Sequence, residues 1–546
     1  MLIAKAKINS IYIILLGSIF ILFAFFNPIY GTTDDYILNS WLNGSYTGQI
    51  ENESIFITPI FSNLMSICYE LSTAISWYSL TLLLITFISI LRLTQFVKNS
   101  ASMYQGVKYL NYLVLISFLV WSFLGITYTA TAIIAGVAGW ISIVDSLKND
   151  DKKNTIYGLI LILFSTIIRP ESFIGATLIT IPFLFMRVKI NRANVLKIAA
   201  LTVLVLATFI TNYLIQKNES FEIIEYRAWG KKVQMLAGRP RMEDAAKVVG
   251  ESGWTPSQYH LFIDLAYFDQ KTFNNKWIDS GINGTQELNN RPEVNSENIQ
   301  SILKEYVIST TIFIYALFIA GFLLILSMRK IRHPVVLAVS IINFGLIHLF
   351  SGLFLHNVSR VTVPFIVTFI LTISSSISST LNRRFVMSAN VIFVLIISVS
   401  FFQLNDVNKT KIVDSEKSRT VVVNDFIDKI VLIHGNQEFW QNTNPYIAVQ
   451  KDLIPNVFMV GNWDTFSPHW DKRAKKLGLG GKSIIKNLLS NPDVLWSGPT
   501  VPHTTRHLIN YLQETGYGVI APEKVGLLPN GNEIWNFSNA GKNNAT

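Results

Sequence analysis

The sequence predicts a polytopic α-helical membrane protein with about eleven transmembrane helices and a C-terminal extracytoplasmic α/β domain. Of its 546 residues, 50% are hydrophobic and only 15% are charged. The apolar residues come in blocks of roughly 17–22, the length of helix that crosses ~30 Å of hydrocarbon. Lys and Arg lie mainly in short segments between these blocks, as in membrane proteins with cytoplasmic basic loops. A membrane β-barrel would instead show alternating segments of about 10 residues.

The hydropathy pattern places the transmembrane spans in order along the chain. No small-x-small cleavage site follows the first apolar stretch, so we interpret that stretch as a retained first span and not as a signal peptide. The predicted spans are residues 10–29, 72–93, 108–127, 128–147, 155–169, 171–187, 197–215, 306–328, 334–355, 361–381 and 385–403.

Basic clusters predict the orientation of these spans. With the spans as drawn, every cluster falls on one face, which is therefore the cytoplasmic face, and the N-terminus lies there too. The clusters are Lys5 and Lys7; Arg92 and Lys98; Lys148, Lys152 and Lys153; Arg187, Lys189, Arg192 and Lys197; Arg329, Lys330 and Arg332; and Arg383 and Arg384.

The opposite face receives two long loops, residues 30–71 and 216–305, and two short turns. Within the first loop, SIFITPIFSNLMSICYELST is amphipathic and predicts a helix that lies along the membrane surface. The residues from 404 to 546 also emerge on this side, so the predicted division is a membrane module, 1–403, and a soluble extracytoplasmic domain, 404–546.

The tail alternates short β-branched runs with helical stretches, which predicts a small α/β unit with a largely parallel sheet. Its strand candidates are YIAV, NVFMV, DVLW and YGVIA, and its helix candidates are SIIKNLLSN and HTTRHLINYLQETG.

Composition also excludes several classes of function. The net charge of +10 does not indicate nucleic-acid binding, because the basic residues follow the membrane pattern. Cys68 is the only cysteine, so neither an internal disulfide nor a thiolate metal cluster can form. No P-loop, GxGxxG or HExxH motif occurs, so neither a nucleotide site nor a zincin site is evident.

Ionisable residues converge at the outer ends of spans that are far apart in sequence. Asp34 and Asp35 follow the first span, Arg169 and Glu171 flank Pro170 between two spans, and His356 and Arg360 lie in a later outer turn. Ionisable residues at the membrane edge indicate a functional site. Asp34, Asp35 and Glu171 are also candidate oxygen ligands for a divalent cation, Mg²⁺ or Mn²⁺.

Each of these residues also has a structural interpretation. Asp34 is a suitable helix N-cap for YILNSWL. Arg169 and Glu171 are placed to form an ion pair across the proline turn. Arg360 is placed to extend its charged end to the membrane interface.

The acidic pair after the first span, the helix along the outer surface, the Arg-Pro-Glu turn and the late arginine near the outer face resemble the GT-C superfamily, integral-membrane glycosyltransferases that use polyprenyl-phosphate-linked sugars. Four segments resemble, more closely, membrane proteins of Gram-positive surface-polysaccharide loci. The resemblance covers most of the chain and implies a bacterial enzyme. It departs from parts of the superfamily in having Asp-Asp where Asp-Glu is common. The segments are TTDDYILNSWLNGSYTG, IIRPESF, HNVSRVTVP and GNWDTFSPHWDKRAKKLGL.

This resemblance implies inverting sugar transfer on the outer face of the cytoplasmic membrane, to a cell-surface glycan or lipid-linked acceptor. One of the two aspartates, Asp34 or Asp35, would be the general base. Arg169, His356 and Arg360 would stabilise the lipid phosphate or diphosphate leaving group. Glu171 would orient the first of these arginines or bind the sugar.

Aromatic and polar residues of the outer segments are weaker candidates for acceptor or sugar binding. A membrane-interface belt explains the loop aromatics equally well, and a structural turn explains the tail cluster. The candidates are Trp41, Tyr46, Trp229 and Trp254 in the loops and Trp463, Asp464, His469 and Trp470 in the tail.

Two other functions are alternatives to sugar transfer. A polymerase that joins lipid-linked repeat units would need the same outer loop and arginines. A transporter or flippase of lipid-linked sugars would instead carry charged groups along a midplane pathway and would often show internal repeats.

Overall fold

We describe the protein from a computed structural model. The structure describes residues 17, 21–100, 103, 105–149, 151–187, 192–237, 250, 252–264, 266–286, 334–354, 359–376, 383–434, 440–448, 456–461, 463–480, 484–498, 502–517 and 521–538.

Helices dominate the described residues, and two short strands interrupt the bundle. The helices of the first part are α1 (Thr33–Leu42), α2 (Pro59–Leu71), α3 (Trp77–Asn99), α4 (Gln105–Leu124), α5 (Tyr128–Asn149), α6 (Lys152–Ile168), α7 (Pro170–Arg187), α8 (Arg192–Lys217), α9 (Phe221–Ala237), α10 (Pro256–Ile263) and α11 (Asn275–Gln286). The later helices are α12 (Pro334–Phe354), α13 (Ser359–Ser376), α14 (Arg383–Asp425), α15 (Pro468–Lys476), α16 (Ile484–Ser490) and α17 (Pro502–Glu514).

Five of the described helices contain a segment long and apolar enough to cross a membrane, and these segments lie in α3, α4, α5, α8 and α14. Two shorter apolar segments, Leu337–Leu346 and Ser359–Ser375, lie in α12 and α13. The predicted span 306–328 and half of the predicted span 10–29 lie outside the described residues. The chain is thus a helical protein of membrane type, and the total of about eleven spans remains a prediction.

Helix α5 lies at the centre of the bundle and packs against α3, α6, α7 and α13. Its contact with α6 is close because glycines face each other. A Cβ on Gly139 would lie 2.7 Å from Ile162 Cγ1 and 3.0 Å from the Gly158 carbonyl oxygen. Small residues allow membrane helices to approach until their backbones touch, which compensates for the weak hydrophobic drive within lipid.

The strands β1 (Ile29–Tyr30) and β2 (Gly125–Ile126) pair in parallel. They join the segment directly before α1 to the connection between α4 and α5. Gly31 continues this contact by donating its N–H to the Ile126 carbonyl at 3.0 Å. A Cβ at Gly31 would lie 2.3 Å from Thr127 Cγ2 and 2.8 Å from the Gly125 carbonyl oxygen, so only glycine fits. This pair therefore sets the position of the residues that follow, including the two aspartates.

Two contacts involve residues of the predicted basic clusters. The Arg92 guanidinium in α3 donates to Asn154 Oδ1 of α6 at 3.1 Å and lies 3.6 Å from the centre of the Tyr157 ring. Lys108 of α4 donates to the carbonyl of Lys98 in α3 at 2.9 Å. The side of the membrane on which these residues lie remains a prediction.

The C-terminal part contains a five-stranded sheet. Its strands are β3 (Ile430–His434), β4 (Val457–Val460), β5 (Val494–Gly498), β6 (Glu523–Leu527) and β7 (Glu533–Asn536). Their order in the sheet is β4-β3-β5-β7-β6. Strand β3 pairs in parallel with β4 and β5, whereas β7 pairs antiparallel with both β5 and β6, so the largely parallel sheet that we expect is mixed. NVFMV and DVLW contribute strands as predicted, but YIAV contributes none among its described residues.

Two features qualify the predicted division at residue 404. Helix α14 runs without interruption through that position to Asp425. The sheet also shares its hydrophobic core with the preceding long loop, since Trp229, Tyr267 and Phe273 pack in one cluster with Phe458 and Trp496. Loop and sheet therefore form one packed body, which we call the outer module: residues 221–286 and 430–538.

Candidate functional site

The two aspartates lie in the first turn of α1, whose N-cap is Thr32. The Thr32 hydroxyl oxygen accepts from the Asp35 N–H at 3.4 Å and donates to Asp35 Oδ2 at 2.7 Å. The alternative in which Asp34 caps the helix is therefore wrong, because a threonine occupies that position. Two carboxylates at a helix N-terminus are stabilised by the partial positive charge of its free N–H groups.

Asp35 is completely buried and both of its oxygens are occupied. Oδ1 accepts from the Tyr78 hydroxyl and from the Tyr128 backbone N–H, each at 2.9 Å, and Oδ2 accepts from Thr32. Burial raises the pKa of Asp35 to about 6, and these three donors oppose the rise. The carboxylate joins α1 to α3 and to the start of α5.

Asp34 differs from its neighbour because it remains partly exposed. Its Oδ2 lies 3.1 Å from Nη1 of Arg360, and the side chains of the two residues are 18% and 25% exposed. Arg360 occupies the first turn of α13, where the helix dipole disfavours a positive charge. Asp34 offsets that cost, and the pair brings the first outer loop together with a helix more than 300 residues later in the chain.

Arg169 lies in the connection between α6 and α7 at the same end of the bundle. Its Nη1 donates to Thr129 Oγ1 at 2.6 Å and to Tyr128 Oη at 3.2 Å. The Glu171 carboxylate lies 3.9 Å from Arg169 Nε and is 78% exposed. Such an exposed contact is weak, so the tyrosine and threonine, and not the glutamate, position the guanidinium.

Tyr128 connects these groups, and sequence reasoning missed it. Its N–H holds Asp35, its hydroxyl accepts from Arg169, and its ring centre lies 5.1 Å from Arg169 Cζ. Tyr78 was missed as well. In both cases a tyrosine at the end of an apolar helix is expected to be an anchor at the membrane interface. The sequence signal that was available is the run Thr127-Tyr128-Thr129, which places three hydroxyls at one helix start.

A second layer of polar contacts holds α1 from behind. Asn39 donates to Tyr30 Oη at 2.6 Å and accepts from the Tyr69 hydroxyl, which in turn accepts from the Tyr78 N–H at 3.1 Å. All four side chains are buried. Since each buried polar group is paired, the aspartate-bearing helix is fixed against α2 and α3.

The donor set around the aspartates does not fit a divalent cation. Three hydrogen-bond donors point at Asp35, and a guanidinium points at Asp34. A bound cation would require these oxygens to exchange their partners. Over the described residues, no group of three His, Cys, Asp or Glu side chains is placed to hold a metal ion.

The weaker candidates lie mostly in the contact between the first outer loop and the outer module. Tyr46 donates its hydroxyl to Asp464 Oδ2 at 2.8 Å, and the ring centres of Trp41 and His469 are 4.2 Å apart. Trp41, Tyr46, Asp464 and His469 are all buried, and Trp463 is half-buried. In this conformation they hold the outer module against α1 and leave little face for a ligand.

The remaining predicted residues are placed as follows. Trp229 and Trp254 are buried in the outer module, where Trp254 stacks on Trp277 at 3.7 Å, so they do not form a membrane-interface belt. Trp470 is buried beneath the turn that carries Asp464. His356 lies outside the described residues.

Comparison with known proteins finds two solved structures of similar fold. One is the crystal structure of ArnT from Cupriavidus metallidurans in the apo state, with 10% identity, a TM-score of 0.43 and coverage of 97% of this chain and 98% of that chain. The other is the same protein bound to undecaprenyl phosphate, with 9% identity, a TM-score of 0.37 and the same coverage. No family model and no curated protein matches the chain.

Proposed function

We propose that this protein is a membrane glycosyltransferase that moves a sugar from a polyprenyl-phosphate-linked donor to a cell-surface glycan or a lipid-linked acceptor. The transfer proceeds in one displacement with inversion at the anomeric carbon. It takes place at the outer face of the cytoplasmic membrane, opposite the basic face.

The observation that carries this proposal is the pairing of Asp34 with Arg360. A partly exposed carboxylate and a guanidinium meet at the end of an apolar bundle. The Tyr128 hydroxyl accepts from Arg169 and is close enough to Asp34 and Arg360 to interact with their charges. Such a site offers one base and two cations, which matches a reaction that removes a proton and releases a phosphate.

In the proposed step, a carboxylate oxygen of Asp34 takes the proton from an acceptor hydroxyl. That hydroxyl oxygen attacks the anomeric carbon, and the bond from this carbon to the lipid phosphate oxygen breaks. The phosphate leaves with the electron pair and is stabilised by Arg360 and Arg169. Arginine suits this task because its planar guanidinium binds phosphate oxygens in pairs.

Asp35 has a positioning role in this scheme. Its two oxygens are already occupied by Thr32, Tyr78 and Tyr128, so it fixes the neighbouring residues and does not meet the acceptor.

The test is sugar transfer by purified protein in detergent or vesicles, comparing Asp34→Asn with Asp428→Asn, an exposed carboxylate in the turn between α14 and β3. We expect Asp34→Asn to lower transfer by about 10²–10⁴-fold, because a general base contributes about that much. Asp428→Asn should retain full activity. Normal transfer by correctly inserted Asp34→Asn protein would disprove the role of this base.

Two further measurements separate the other two functions. A polymerase is indicated if the purified protein transfers no single sugar and if deletion of its gene removes the ladder of glycan chain lengths from the cell surface. Movement of a lipid-linked sugar across the vesicle membrane without a new glycosidic bond would indicate a flippase.

A further inference from the structure

The outer module contains a cavity of about 460 Å³ that the proposed reaction does not use. Its described lining comes from the helix α9, the segment 270–275, and two turns, one at Phe466 and one at Gly480. None of these lies in a candidate membrane span. Exposed charged side chains, Glu222, Glu225 and Lys271, line the cavity and favour a polar ligand.

One wall of the cavity is aromatic. Tyr226 and Trp229 stack with ring centres 5.9 Å apart, and Phe466 meets the Trp229 ring edge-on at 5.4 Å. Phe466 has a φ of 68°, which is uncommon for a bulky side chain and directs its ring into this cluster. Outliers of this kind often occur where a site is held in a defined shape.

The cavity is also lined by polar groups of the same helix and of the segment 270–275. The side chains of Glu222, Glu225 and Lys271 are exposed and make no hydrogen bond or ion pair with the described residues. The Asn275 Oδ1 atom is buried and also has no partner among them. A buried carbonyl oxygen without a donor is costly, so its partner is expected to come from water or from a ligand.

We propose that this cavity binds the glycan acceptor through one of its saccharide units. A sugar presents hydroxyl donors for the two carboxylates and the amide oxygen, and an apolar C–H face for the aromatic wall. Pockets that combine an apolar wall with a few placed polar groups are the usual form of small-ligand sites. The assignment of the saccharide as an acceptor rests on the proposed transferase function; the site itself does not.

The cavity is linked to the catalytic helix by one layer of residues. The Tyr226 hydroxyl donates to the Trp463 carbonyl, and the Trp463 ring lies 5.3 Å from that of Trp41 on α1. The same helix carries Asp34. Trp41 lies seven residues after Asp34, about 10 Å along the helix. A glycan held in the cavity would thus be anchored at a distance from the reaction centre, and another part of the glycan would reach Asp34.

The test is binding of the surface glycan purified from a strain that lacks this protein, measured by calorimetry on the full chain. Three variants are compared: Asp34→Asn, Glu222→Gln combined with Glu225→Gln, and Glu523→Gln. Glu222 and Glu225 are exposed, so their substitution should leave the fold intact, and Glu523 is an exposed control on β6.

We expect Asp34→Asn and Glu523→Gln to bind the glycan as the parent does, and the double variant to bind at least tenfold more weakly, because hydrogen bonds to charged groups are strong. In transfer assays the double variant should raise the acceptor KM and leave the donor KM unchanged. Unchanged glycan binding by the double variant, or no binding by the parent, would overturn the site. Binding that depends on the two carboxylates in a protein without transferase activity would uphold the site and overturn the proposed function.

Discussion

Asp34 and Asp35 are neighbours in sequence but differ in every contact that matters for chemistry. Asp35 is buried and accepts three hydrogen bonds, whereas Asp34 is partly exposed and faces one arginine. A base must reach a substrate proton, so exposure favours Asp34. Both roles depend on residues from other helices, which is why the order of the pair in the sequence could not distinguish them.

At this scale we predict that Asp35→Asn lowers stability as well as activity. The amide oxygen of asparagine can still accept from Tyr78 and from the Tyr128 N–H, but its NH₂ group donates and cannot accept from the Thr32 hydroxyl, which loses its acceptor. Leaving a buried donor unpaired costs about 1–3 kcal/mol. Thermal unfolding of the detergent-solubilised protein should show a lowered midpoint for Asp35→Asn and a smaller decrease for Asp34→Asn, which weakens only the partly exposed pair with Arg360. Equal midpoints for Asp35→Asn and the parent would contradict the structural role of Asp35.

The residues that sequence reasoning selected at the bundle end are largely those that the structure brings together. Asp34, Asp35, Arg169 and Arg360 could be found because charge is rare and costly beside apolar helices. Tyr128 could not, since a tyrosine at such a position has a common alternative use and its role depends on where its hydroxyl points.

At the scale of elements, the predicted helices α6 and α7 agree with the structure to within three residues, whereas the predicted end of the last span does not. Pro170 begins α7, and because proline is common at the first position of a helix, the sequence predicts that boundary. Helix α14 continues beyond its apolar part through polar residues to Asp425, and hydropathy detects only the apolar part. The strand Ile430–His434 was missed because it is short and lies directly after this helix.

The close contact of α5 with α6 gives a second prediction. We expect Gly139→Val to destabilise the bundle by about 1–3 kcal/mol, because its side chain would overlap Ile162 and the Gly158 carbonyl. Reduced yield of folded protein and a lower unfolding midpoint would report this. The control is Gly230→Ala in α9, where a Cβ meets no atom within 4 Å and helix propensity improves. Equal behaviour of the two variants would show that the packing is looser than described.

At the scale of the whole molecule, the outer module is held on α1 by a contact that contains buried ionisable groups. Lys472 pairs with Glu51 at 2.9 Å, and the buried His469 ring lies 3.5 Å from the same carboxylate. Burial lowers the pKa of His469. Nearby, Asp464 bonds Tyr46 through one oxygen, and its other oxygen has no partner among the described residues.

This contact predicts a pH dependence of stability. Burial raises the pKa of Asp464 from its ordinary 3.8 to about 7. The folded protein thus binds a proton that the unfolded chain releases, so this stabilisation is fully present below about pH 4 and is lost as pH rises through about 7. Its slope in that window is at most about 1.4 kcal/mol per pH unit. The unfolding midpoint of Asp464→Asn should vary less between pH 4 and 7 than that of the parent; identical pH profiles would refute this assignment.

The sequence by itself determined the membrane class, the end of the bundle where charge collects and the identity of most groups there. These follow from local properties: hydropathy over about 20 residues and the cost of charge near lipid. Only the tertiary structure decided which aspartate is exposed, that Tyr128 links Asp35 to Arg169, and that the long loop joins the sheet in one core. The physical reason is that burial and hydrogen bonding are set by partners from distant segments, and a single sequence does not record which segments meet.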